Sequence, residues 1–191
     1  MSTHSSTVHN SLGEQIYQST GQSVACCYQC GKCSAGCPLA SETDYPPNQI
    51  LRLLQFGDST LDEKALRSLT IWQCLTCQTC SARCPQEVDL PKIMDFLRQE
   101  SWRQGRAHPK ARNIIAFHRS FLGSIRMTGR MFELGMIMDY KRRSLNFLQD
   151  LLLAPKLLFR GKLHFLPHRI DGAKQVRRLF DATARKRGRT E

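Results

Sequence analysis

Cysteine recurs in this chain at one spacing, twice over: Cys27, Cys30, Cys33 and Cys37 followed by Pro38, then Cys74, Cys77, Cys80 and Cys84 followed by Pro85. Eight of the nine cysteines fall into this pattern, and it constrains the fold more than anything else in the 191 residues. Three cysteines two residues apart can wrap a single tight turn around three corners of a small cube. A fourth, three residues on and held in an extended path by proline, is carried away from its own turn.

That is the ligand run of bacterial two-cluster ferredoxins, in which the fourth cysteine serves the other cluster. The spacing therefore predicts two [4Fe–4S] clusters, one on Cys27, Cys30, Cys33 and Cys84, the second on Cys74, Cys77, Cys80 and Cys37. Structural zinc also takes four cysteines, but it pairs two with two distant ones, and the third cysteine and the proline are superfluous for it. Cys26 is the spare, because Cys27 keeps the two-residue gap to Cys30. Its doublet with Cys27 lacks the glycine of Cys-Cys-Gly substrate sites, Tyr28 standing in that place.

The surroundings suit electron transfer. Gly31 and Gly36 are placed to let backbone N–H groups approach sulfur, Ser34, Thr76, Thr79 and Ser81 offer hydroxyls, and Lys32 and Arg83 offer positive charge. With four protein thiolates on each cluster no iron is left open for a substrate, so no catalytic residue is expected. The first twelve residues have neither the basic start nor the apolar run of a signal peptide, and a reducing, cytoplasmic compartment follows.

Charge divides the chain. Residues 1–100 carry 7 Lys and Arg against 10 Asp and Glu, a net −3, while residues 101–191 carry 21 against 6, a net +15. Two oxidised clusters with their thiolates bring the first half to about −7. Apolar periodicity is helical throughout. It predicts a helix over 12–20 stopped by Gly21, one from the Pro46-Pro47 pair to Gly57, one opened by a Thr60–Glu63 capping box, and one from Leu90 to about Gln104 capped by Asp89. The segment between the motifs thus reads as helices, where small bacterial ferredoxins have strands. The fold class is all-α: an α-helical dicluster ferredoxin over 12–104 after a mobile 1–11, with a basic helical extension over 105–191.

The stretches "CYQCGKCSAGCP", "PPNQILRLLQFG" and "IWQCLTCQTCSARCPQEVDLPKIMDFLR" resemble the C subunit of heterodisulfide reductase and its relatives in bacterial heterodisulfide reductase-like complexes. The resemblance implies a non-catalytic relay subunit of an oxidoreductase, carrying electrons between two partners. One is the flavoprotein A-type subunit, which holds the FAD; the other is the Cys-Cys-Gly B-type subunit, which works on thiol, disulfide or related sulfur substrates. It leaves room for a doubled complex. The iron–sulfur subunit of another respiratory-type dehydrogenase, of succinate or glycerol-phosphate type, is the alternative, though it would normally show a plant-type motif or quinone-anchoring parts.

In the extension, Ile114, Ile115, Phe117, Phe121, Leu122 and Ile125 suggest one helix, and Met127, Met131, Phe132, Leu134, Met136, Ile137 and Met138 a second with a packing stripe. His164 and His168 are four apart, but Pro167 breaks the helix that would align them. "FLQDLLLAPKLLF" is interrupted by Asp150, Pro155 and Lys156 and is too short to span a bilayer. It is expected to pack against a subunit, with a peripheral membrane contact as its other use. No nucleic-acid recognition motif accompanies the basic residues.

Overall fold

The computed structural model describes residues 11–145 and 170–187, and it is helical with no strand among them. The chain's first ten residues, "FLQDLLLAPKLLF" with its leucines Leu151, Leu152, Leu153, Leu157 and Leu158 and with Phe159, and the two histidines His164 and His168 lie outside the described residues. Two compact units meet in sequence at Ala111 and Arg112. The first extends beyond Gln104 because Arg106 returns to it, its guanidinium 3.2 Å from Glu63 and its N–H on Ser101 O.

In the first unit α1 (Leu12–Thr20) is capped by Ser11, whose hydroxyl accepts from Glu14 N, and ends at Gly21 in the left-handed conformation. A second tie, Leu12 N to Asp62 Oδ2 at 3.0 Å, fixes its start. Gly13 sits inside this helix for a packing reason: a Cβ there would fall 3.1 Å from Val24 Cγ2 and 3.3 Å from Leu54 O. The glycine lets α1 lie close against α3 (Pro47–Gln55), which opens with proline at its first position. Short α2 (Lys32–Ala35) follows the first two cysteines of its run and carries the third, as α6 (Thr79–Arg83) does in the second run.

Helix α4 (Ser59–Leu66) corrects the expected capping box. Asp58 is the cap, its carboxylate accepting from Thr60 N and Leu61 N, while Glu63 turns away to Arg67 and Arg106. The next helix, α5 (Thr70–Gln73), is only four residues long. Helix α7 (Leu90–Arg103) buries Ile93, Met94 and Leu97 as the periodicity predicts, with Asp89 accepting from Lys92 N. These three join Ile16, Ile50, Leu51, Leu54, Ile71 and Leu90 in one core. Each such side chain removed from water contributes about 2 kcal/mol before its entropy is counted.

The second unit contains α8 (Arg112–Thr128), α9 (Glu133–Ser144) and α10 (Ala173–Arg187). Its packing departs from the expected stripe. The buried face of α8 is Ala116, Ser120, Ser124 and Thr128, small residues one turn apart. They carry hydrogen bonds: Ser120 Oγ donates to Asp139 Oδ2 at 2.9 Å, and Phe132 N donates to Ser124 Oγ at 2.7 Å. Phe117 and Leu122 stay nearly half exposed and Met127 and Met138 about two-thirds exposed, so the methionines do not form a buried stripe. Arg126 pairs with Asp181 at 2.7 Å, linking α8 to α10.

Candidate metal centres

Both cysteine runs follow one backbone path. The second residue after the first cysteine is left-handed in each, Gln29 at φ 64 and Thr76 at φ 52, and so is the residue after the second cysteine, Gly31 at φ 76 and Gln78 at φ 63. Two left-handed residues in five curl the chain tightly around the first two cysteines and into the helical turn that carries the third. Beyond each run the fourth cysteine leaves the loop.

Its destination is visible at Cys37. Cys37 lines a small apolar cavity of about 40 Å³ together with Cys74, Cys77 and Cys80 of the other run, the walls completed by Pro38, Leu39, Pro47, Leu75, Leu90 and Met94. On the other side, Tyr28 lies among Cys30, Cys84 and Cys27, and loss of water followed by the Cys30 contact and the nearby thiols raises its pKa. Cys27 in turn is near enough to Cys33 for its charge to raise that thiol's pKa. Among the described residues no three Cys, His, Asp or Glu side chains close on one point as a single metal ion requires. Soft thiols spread around an apolar cavity fit an iron–sulfur cluster, which reaches each of them with a separate iron. Cys26 is exposed at the end of a short 3₁₀ turn, Val24–Cys26.

Distant residues hold these loops. Cys74 follows α5, and the Asp44 carboxylate holds that helix at its start by accepting from Leu69 N at 2.8 Å, Thr70 N at 3.0 Å, and the Ser68 and Thr70 hydroxyls, both at 2.7 Å. Partial burial works against the Asp44 charge, but the hydrogen bonds from Thr70, Leu69 and Ser68 outweigh it and hold the carboxyl pKa at about 2. At the other end Arg98 donates to Ile71 O and, at 2.9 Å, to Cys74 O. Around the first run Gln55 Nε2 donates to Cys27 O at 2.6 Å and Val24 O at 2.9 Å. None of these three residues is adjacent in sequence to what it holds, and no local pattern marks them.

The expected polar contacts are redistributed. Thr76 Oγ1 donates to Leu75 O and Ser81 Oγ to Asp89, so neither hydroxyl serves a sulfur, whereas Thr79 Oγ1 stands 3.4 Å from Cys77 Sγ. The Arg83 side chain lies close over Gly36, so that a Cβ there would meet Arg83 Cδ at 2.7 Å. Burial pushes the Cys80 thiol up to about 11 and also raises Cys33, while Thr79 lowers Cys77.

A family profile described as a 4Fe-4S dicluster domain matches residues 23–88, a span containing all eight cysteines of the two runs. The C subunit of the H(2):CoB-CoM heterodisulfide,ferredoxin reductase of Methanothermobacter marburgensis is 30% identical over 110 residues, 58% of either chain. The second iron–sulfur C subunit of the CoB–CoM heterodisulfide reductase of Methanocaldococcus jannaschii is 37% identical over 108 residues, 54% of this chain and 53% of that one. Over about 110 residues, this chain is similar to the heterodisulfide reductase C subunits. A shorter match, 42% over 76 residues covering 40% of this chain and 36% of the other, is to the iron–sulfur C subunit of the CoB–CoM heterodisulfide reductase of Methanopyrus kandleri. The chain spans about half the length of the C subunits it matches. Its dicluster half is an iron–sulfur electron-transfer module, and no helix among the described residues is long and apolar enough to cross a membrane.

Proposed function

We propose that the chain is the electron relay of a heterodisulfide reductase-like complex, holding two [4Fe–4S] clusters on Cys27, Cys30, Cys33, Cys84 and on Cys74, Cys77, Cys80, Cys37. It joins a flavoprotein to a Cys-Cys-Gly subunit that works on thiol, disulfide or related sulfur substrates, and carries electrons between them. The observation that carries this reading is the cavity shared by Cys37 and the three cysteines of the other run. Crossed ligation accords with α2 lying beside α6 and with the Cys80 thiol being near enough to Cys33 to sense its charge. Two clusters that close form a path for single electrons.

When bound, the clusters supply the one-electron redox chemistry. The chain's own residues do the rest: thiolates hold the irons, apolar side chains line one site, and Asp44, Arg98 and Gln55 keep the loops from opening. The basic extension is the part left to dock subunits. Purified anaerobically, the chain should contain about eight irons and eight sulfides. Cys37→Ala should deplete the cluster of the Cys74 run and spare that of its own, as read by iron content and the spectra of the reduced protein. Loss of the Cys27 cluster instead would overturn the crossed assignment.

A further inference from the structure

The two sites present different groups to their sulfurs. At the Cys27 site, Gln29 Nε2 donates to Cys27 Sγ at 3.5 Å and Val88 N to Cys84 Sγ at 3.4 Å. Gln29 is held for this contact. Its Nε2 is also 3.4 Å from Gln55 Oε1, its Oε1 accepts from Asn48 Nδ2 at 3.3 Å, and Gln55 is itself anchored on two backbone carbonyls. At the matching place in the second run stands Thr76, whose hydroxyl is turned to Leu75 O. Thr79 beside Cys77 is the side-chain hydroxyl at that site. Backbone N–H groups of Ser34 and Ser81 reach Cys33 and Cys80 alike, and so do not separate the two.

The walls differ in the same sense. Cys27 opens on a groove lined by Glu14, Tyr28, Gln29, Arg52 and Gln55 as well as Val24 and Leu54, mixed in polarity and open to water. The cavity of Cys37, Cys74, Cys77 and Cys80 is walled by proline, leucine and methionine. Reduction of a cluster by one electron takes its charge from about −2 to −3, with no bond made or broken. Hydrogen bonds to sulfur and nearby water stabilise the added charge, and apolar walls oppose it.

We propose that the Cys27-site cluster has the higher potential of the two and takes the first electron from a one-electron donor such as a reduced flavin. Gln29 is the positioning residue that raises it, acting through Cys27. This rests on the two-cluster reading above and adds an order to it. Electrons arriving at the Cys74 site run downhill to the Cys27 site and leave over the open groove.

The test uses the full chain, reconstituted anaerobically and counted for iron, then titrated with dithionite through mediators while its electron paramagnetic resonance is followed. Two waves are expected in the native chain. Gln29→Gly removes the amide and suits the left-handed backbone at this position, so folding is not strained. It should lower the upper wave by up to tenfold in the reduction equilibrium, about 59 mV for one electron, and leave the lower wave in place. Gln29→Asn keeps an amide too short to reach, and should lower the upper wave likewise; Thr76→Gly should not touch it. A chain with eight irons whose upper wave is unmoved by both Gln29 variants, or whose lower wave moves instead, overturns this proposal and leaves the relay reading intact. A chain holding only one cluster takes both down.

Discussion

Gln78 occupies a left-handed backbone position, φ 63, where its counterpart Gly31 stands at φ 76. An L side chain there costs about 1 kcal/mol relative to glycine. A Cβ at Gly31 would meet nothing within 4 Å, so the cost of Gly31→Ala is conformational alone. It should lower stability by about 1 kcal/mol, while Gln78→Gly should raise it by a similar amount, each read from the midpoint of thermal cluster loss at unchanged iron content. Asp44 gives a pH dependence. Its folded pKa, about 2, lies below the ordinary 3.8, so its contribution is fully present above the ordinary value and is lost as pH falls toward the folded one. Because the carboxylate is largely solvent-facing, that contribution is on the order of 1 kcal/mol after screening. The stability gap between the native chain and Asp44→Asn should therefore narrow between about pH 5 and about pH 2.5 in denaturant titrations; a constant gap would mean that the carboxylate's charge is not what matters.

At the scale of elements, the helices differ in what holds them. Helices α1, α3 and α7 were legible because each carries signals locally, Gly21 for the first, Pro47 and Gly57 for the second, Asp89 and Gly105 for the third, with the apolar period between; the Ser11 cap, in a stretch read as mobile, was missed. The opening of α4 misled because Thr60 and Glu63 satisfy the capping-box spacing, yet Asp58 two residues earlier reaches the N–H groups of the first turn and Arg106 draws Glu63 off. Helix α5 was not legible at all. Four residues do not make a stable helix alone, and its fastenings, Asp44 and Arg98, lie more than twenty residues away on either side. The two cysteine runs were the opposite case, since their spacing is visible in the sequence and both take the same left-handed turns. Arg98→Ala should then act on one site. Leaving the Ile71 and Cys74 carbonyls without their charged donor costs about 2 kcal/mol, and the variant should lose iron from the Cys74 site first, retaining about half of the total; equal loss from both sites would place Arg98 in the general core instead.

On the scale of the molecule, the charge boundary and the packing boundary nearly coincide. The ferredoxin unit owns the contiguous core and all eight cysteines of the two runs. In the second unit α8 turns small residues inward and leaves Phe117, Leu122 and Met127 at the surface, alongside a net charge that the sequence concentrates after residue 100. Exposed apolar side chains in a strongly cationic segment suit a negatively charged partner, steered by charge and held by burial. A chain ending at Ala111 keeps Arg106 on Glu63 and should bind about eight irons like the full protein, but should fail to co-purify with flavoprotein and Cys-Cys-Gly subunits. Since steering between exposed charges is screened within about 8 Å at physiological salt, raising salt should slow assembly from separated subunits more than it dissolves the finished complex. Undiminished co-purification of the shortened chain would remove docking as the extension's role. Binding of the full chain, but not the shortened one, to anionic vesicles would then make a membrane surface the better account of all that positive charge.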